Sequence, residues 1–266
     1  MAASTQLTEQ QRRDQTRFRG HRGGMITMHR ALGHFHLGPM NMLVAIALFL
    51  SFTTLWLAFL PEVCRVWQWF FSVGLRYLPL DARIDVINQR FGILKFAMPS
   101  LLIRPLLPGF SLWLGITLTT IALFAATFLL PRPMVPLIYL SRAILIIQGT
   151  ACLYFAIWPS QFPHTPDSYI QGLMLFSIAM ISIVPLLFTM TYYIFDFGIA
   201  RKAFLTALTM SYLAIFVPLQ VLFQAMFLQK TVMFMPILYI IFGMPADVMI
   251  IVAFYSWGMT WPFRKR

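Results

Sequence analysis

Apolar residues fill this chain in long runs, and the runs rather than any short periodicity set its architecture. A bilayer core of about 30 Å is crossed by about 20 apolar residues of helix. Met40 to Leu60, Phe110 to Leu130, Leu137 to Trp158, Ile170 to Phe195 and Ala203 to Leu228 each reach that length. A sixth run, Val232 to Trp261, is 30 residues long and contains Pro236, Gly243, Pro245 and Asp247. Proline removes a helical hydrogen bond and glycine lets the backbone turn, so this run is predicted to be kinked or partly unwound.

The stretches between runs are short, with one exception. Residues 61–109 form a 49-residue connection, too long to lack structure of its own inside a compact protein. Within it, VWQWFFSVGLRYLPL sets aromatics around Arg76, and INQRFGILKFAMPSLLIRPLL spaces Arg90, Lys95 and Arg104 among Ile, Leu and Phe. Both read as amphipathic helices in the interface, rings at headgroup depth and cations reaching the phosphates. A seventh crossing within 63–80 is the competing reading. The expected fold class is all-α: a polytopic membrane protein of about six spans, with interfacial helices between spans one and two. A tail, residues 1–39, precedes the transmembrane part, residues 40–266.

Composition strengthens this reading. Of the 266 residues, 59% are hydrophobic and 11% charged, against about 25% charged in soluble globular chains. Most of the surface therefore meets lipid. Gly at 14, Pro at 17 and Cys at 2 exclude disorder, collagen-like repeats and a disulfide scaffold. Because 39 residues precede the first run, it is expected to be a retained signal anchor, not a cleaved signal.

Charge then orients the spans. The tail carries Arg12, Arg13, Arg17, Arg19, Arg22 and Arg30, which places it in the cytoplasm. With six crossings, Arg132, Arg201, Lys202 and the terminal Arg264, Lys265 and Arg266 fall on the same side. The 159–169 turn, free of Lys and Arg, and the 229–231 turn, with Lys230 alone, lie outside. Residues 61–109 disagree, since Arg65, Arg76, Arg83, Arg90, Lys95 and Arg104 would also lie outside. The expected site is the cytoplasmic membrane with both termini cytoplasmic. The tail suits anionic lipid contact more than nucleic-acid binding.

Candidate chemistry is sparse. Arg83, Arg90, Lys95 and Arg104 could line a pocket for an anionic head group, since guanidinium forks match phosphate, although bilayer anchoring uses the same cations. His164 and Asp167, in SQFPHTPDSYIQ, offer an imidazole beside a carboxylate for acid/base work, or simply a tight turn. At membrane depth stand Arg142, close enough to the inner end to snorkel, and Asp247, too short to reach either surface. Asp247 serves either a broken-helix transport site or the cap of the helix that restarts after Pro245. Gln148, Gln220 and Gln224 suit interhelical hydrogen bonds, the last two sharing a face. His34 and His36 point about 200° apart on a helix, so no metal site is expected, and no cofactor motif occurs.

The layout of six spans, cytoplasmic ends and outer cations resembles the lipid phosphate phosphatases and their sphingomyelin-synthase-like relatives. The motifs depart from that family. Eight residues separate Lys95 from Arg104-Pro105 where the family has six, and its central Ser-Gly-His is absent. Ser141-Arg142 is followed by Gln148 and Cys152 where the family has His and Asp. The resemblance therefore implies no phosphotransfer here.

These features lead to a non-catalytic subunit or accessory that handles lipid-linked or cell-envelope material, within a membrane complex or homo-oligomer and in contact with anionic lipids. The alternatives are a membrane enzyme on a lipid phosphate, or for acyl or glycosyl transfer, with His164 and Asp167 as acid/base pair, and an ion- or proton-coupled transporter using Asp247.

Overall fold

The computed structural model describes residues 39–91, 94–104, 106–192 and 198–261. The described residues are mostly helical. Helix α1 (Pro39–Tyr77) leads into a hairpin of β1 (Ala82–Phe91) and β2 (Leu94–Ile103). Six helices follow: α2 (Phe110–Ala126), α3 (Val135–Ile157), α4 (Pro166–Thr191), α5 (Ile199–Leu228), α6 (Met235–Phe242) and α7 (Met244–Met259). Among the described residues, five segments are long and apolar enough to cross a membrane: α1, α3, α4, α5 and residues 232–259. Helix α2 is apolar but, at 17 residues, shorter.

The first span does not stop at Leu60. Proline in a helix interior is unfavourable, so Pro61 reads as a boundary in the sequence, yet α1 runs through it for 39 residues. The cause is a buried stripe, Leu60, Cys64, Trp67, Phe71 and Gly74, at alternating steps of four and three. Trp67 Nε1 donates to the Ala214 carbonyl of α5 at 2.7 Å, and at Gly74 an added Cβ would lie 2.6 Å from Leu222. At 1.5 Å per residue the helix is about 58 Å long, enough to cross a ~30 Å core and project beyond it. Residues 63–77 thus continue α1 and do not form a helix of their own.

The expected interfacial helix over 87–107 is also corrected. Residues 82–91 and 94–103 pair as antiparallel strands, Arg83 with Leu102, Val86 with Pro99 and Arg90 with Lys95. Burial alternates over 95–98, with Phe96 and Met98 inside and Lys95 and Ala97 outside, then covers both faces over 98–101, and Ile84, Val86 and Ile87 favour extended backbone. An isolated hairpin is marginal in water. Here β2 packs on α1 and α4 through Phe96, Met98, Leu101 and Ile103.

The helices alternate in direction, so one end of the bundle gathers the hairpin, the start of α4 and the end of α5. Gln229, the C-cap of α5, spans that junction: its amide donates to the Pro79 carbonyl at 3.0 Å and accepts from the Asp81 N–H at 3.2 Å. At the opposite end the α4–α5 connection is closed reciprocally. Lys202 Nζ donates to the Tyr192 carbonyl and the Tyr192 hydroxyl to the Lys202 carbonyl, both at 2.8 Å. Deeper in the bundle, Trp56 Nε1 donates to Ser182 Oγ at 2.9 Å, tying α1 to α4. Both cysteines, Cys64 and Cys152, are buried and free.

The last run is broken where the sequence places the break. Helix α6 ends at Phe242, Gly243 is the junction, and Pro245 sits in the first turn of α7. An alanine Cβ at Gly243 would collide with the Tyr239 carbonyl oxygen, a backbone atom that cannot swing aside, whereas nothing lies within 4 Å of one at Gly172. Gly243→Ala is expected to cost about 1–3 kcal/mol, seen as a lowered Tm in detergent, while Gly172→Ala leaves the Tm unchanged or higher.

Candidate functional site

The site is built where the hairpin base meets the start of α4. Thr165 caps α4, its hydroxyl accepting from the Ser168 N–H at 3.3 Å while Ser168 Oγ accepts from the Thr165 N–H at 3.2 Å. This capping box fixes the first turn, where an acidic residue is favoured by the helix dipole. Asp167 occupies that turn, and its carboxylate accepts from the Ile103 N–H of β2 at 2.6 Å. A charge-assisted hydrogen bond thereby clamps the last residue of the hairpin to a helix 64 positions further on.

Beside this clamp opens a cavity of about 270 Å³. Arg83 and Arg104 line it with Asp81 and Asp167, over a floor that includes Leu102 and Ile103. Both arginines are exposed. Among the described residues the one ion pair within 4.0 Å is Arg65 with Glu62, so neither guanidinium is held by a carboxylate. Two forks with free donors therefore border a space that also offers carboxylate acceptors.

Residues assigned in sequence to two different roles thus share one pocket, and others assigned to one role are separated. Arg90 and Lys95 stand opposite each other near the far end of the hairpin, both exposed. Seven residues of strand separate Arg90 from Arg83, about 23 Å. Like charges directly opposite are unfavourable, so this pair adds nothing to the hairpin's own stability. His164 is exposed, its ring against Phe162 at 5.7 Å, and no hydrogen bond among the described residues joins it to Asp167. The acid/base pair is not assembled; Asp167 is occupied by the Ile103 amide.

No protein family matches this chain, and neither do the curated proteins or solved structures it was compared with. The geometry alone carries the functional reading.

The intramembrane polar groups are also placed. Arg142 points toward the C-terminal end of α2, where its Nε donates to Thr127 Oγ at 2.9 Å and its guanidinium lies 4.2 Å from the Phe128 ring centre. Gln148 donates to the Met233 carbonyl at 3.2 Å, and its carbonyl oxygen is buried without a partner. Gln224 donates to the Phe242 carbonyl at 2.9 Å and accepts from the Tyr169 hydroxyl at 2.5 Å. Gln220 is buried with neither amide atom partnered. Asp247 does not cap α7: its Oδ2 accepts from Ser177 Oγ at 3.0 Å, and Oδ1 is buried with no partner. Among the described residues no group of three or more His, Cys, Asp or Glu could hold a metal ion.

Sequence reasoning missed Asp81, Tyr169, Ser177 and Gln229. Only Asp81 carried a signal, following Pro79-Leu80 at the foot of a strand-forming stretch. Asp167→Ala should release the Ile103 amide at a cost of about 1–3 kcal/mol, read as faster hydrogen exchange over 101–104. His164→Ala should leave that exchange unchanged.

Proposed function

We propose that this protein holds an anionic head group at the hairpin end of its bundle, as a non-catalytic subunit or accessory that handles lipid-linked or cell-envelope material. The observation that carries the reading is the pair of unbridged guanidiniums, Arg83 and Arg104, lining one cavity beside the Asp167–Ile103 clamp. Arginine forks recognise phosphate and carboxylate in a bidentate fashion, and their own positions are set by the strand ends that bear them. Asp81 and the free lone pairs of Asp167 offer acceptors to hydroxyl or ammonium groups on the same head group.

The proposed arrangement has six crossings, counting α2, in the cytoplasmic membrane. Arg142, Arg201 and Lys202 lie toward the end opposite the hairpin, the end that faces the cytoplasm in this reading. The hairpin and its pocket then face outward, with the exposed Arg90 and Lys95 available to anionic lipid phosphates. Asp167 holds the Ile103 amide, and among the described residues no hydrogen bond joins it to His164, an arrangement suited to holding a head group.

Retained lipid provides the test. Native mass spectrometry of gently extracted protein should show a phosphorylated lipid bound to the wild type and at least about tenfold less on the Arg83→Gln/Arg104→Gln double variant, a difference of about 1.4 kcal/mol. The Arg90→Gln/Lys95→Gln variant should keep it. Equal retention by all three proteins contradicts the reading.

A further inference from the structure

A second polar site lies in the membrane interior, apart from the hairpin-end pocket. Asp247 is 1% exposed and sits twelve residues from each end of the 235–259 segment, about 18 Å from either by helical rise. One of its oxygens is held by Ser177, and the other is buried with no donor. Among the described residues no cationic side chain answers it. The ionisable groups on the elements packed against α7 are Asp167 and Tyr169 on α4, Arg201, Lys202 and Tyr212 on α5, and Tyr239 on α6, with Tyr255 on α7 itself; none is bonded to Asp247. A carboxylate taken into hydrocarbon without a countercharge is strongly disfavoured.

Two further observations point to an occupant. Gln220, 2% exposed, has both amide atoms unpartnered. It lies one helical turn inward of Gln224, and Asp247 lies five residues inward of the Phe242 carbonyl that Gln224 binds, so the two stand at similar depth. In addition, a cavity of about 310 Å³ follows α4 inward past Tyr169, Gly172 and Phe176, with Tyr239 on its other wall. Its lining on α4 reaches Phe176, the residue before Ser177 in the chain.

We propose that Asp247 is an exchangeable monovalent-cation site, occupied by a proton or a sodium ion. Ser177 fixes one carboxylate oxygen; the other oxygen, with the Gln220 amide at the same depth, takes the cation. The cavity between Tyr169 and Tyr239 is its path. Hydrated protons and sodium share the chemistry of neutralising a buried carboxylate and differ in whether the other can displace them.

Infrared difference spectroscopy on the full chain reconstituted in lipid tests this, with the perfusing buffer stepped between about pH 5 and 9 in sodium or N-methylglucamine chloride. The expected result is a protonated-carboxyl C=O band that grows on acidification, shifts with 13C-aspartate and is absent in Asp247→Asn. Suppression of that band by sodium at constant pH identifies sodium as the competing occupant, and indifference to sodium identifies the proton alone. If Asp247→Asn does not fold, Ser177→Ala must shift the band's frequency, because the hydroxyl bonds that carboxyl. A carboxyl band that answers neither pH nor sodium, or one that Ser177→Ala leaves unmoved, overturns the proposal.

Discussion

Hydrocarbon supplies no hydrogen bonds, so any backbone group released inside a membrane must be met by the protein itself. The Gly243 break releases such groups, because Pro245 brings no N–H to the end of α6 and the Ala246 N–H turns to the Gly243 carbonyl instead. The Phe242 carbonyl is met by Gln224, which is in turn held by Tyr169 of α4. One glutamine therefore joins α4, α5 and α6 at the level of the break. That junction sets where the chain resumes deeper in the bundle: α7 restarts after Gly243, and Asp247 is carried to Ser177.

The same rule accounts for where the strands are. An open two-stranded hairpin leaves backbone groups unpaired along its outer edge, which hydrocarbon forbids and water or headgroups allow. The hairpin follows the C-terminal end of α1 and is clamped there by the Asp167 carboxylate and the Gln229 amide. The clamp does more than anchor: it brings Arg83 and Arg104 to the edge of one cavity while Arg90 and Lys95 are held a strand's length away. The pocket and the buried carboxylate both adjoin α4, one at its first turn and one at its middle, so α4 is the element on which the two polar sites depend.

Much of this architecture is legible in the sequence. Long apolar runs specify membrane-crossing helices because length and polarity decide the matter, and Gly243 with Pro245 specifies a break because no helix tolerates both without cost. The depth of Asp247 comes from counting residues. Tertiary pairing is not legible in the same way. Cations spaced among Ile, Leu and Phe over 84–104 satisfy an interfacial helix and an outward-facing strand equally, and only packing of Phe96 and Met98 on α1 and α4 separates them. Pro61 signals a stop that a stripe from Leu60 to Gly74 overrides. Asp167 looks like the partner of the nearby His164, whereas its hydrogen bond goes to an amide far away in sequence, and no local pattern encodes that.

The proposed head-group site requires that one end of the bundle, facing outward after six crossings, gather the hairpin, the 158–165 turn and the 229–231 turn. Single-cysteine accessibility in intact cells addresses this directly, in a chain whose Cys64 and Cys152 have been replaced. Cysteines at the exposed positions Asn88, Gln161 and Lys230 should react with a membrane-impermeant maleimide from outside, and those at Pro131 and Gly198 only after permeabilisation. Labelling of position 88 from the side opposite 161, or of 131 together with 161, would contradict that arrangement.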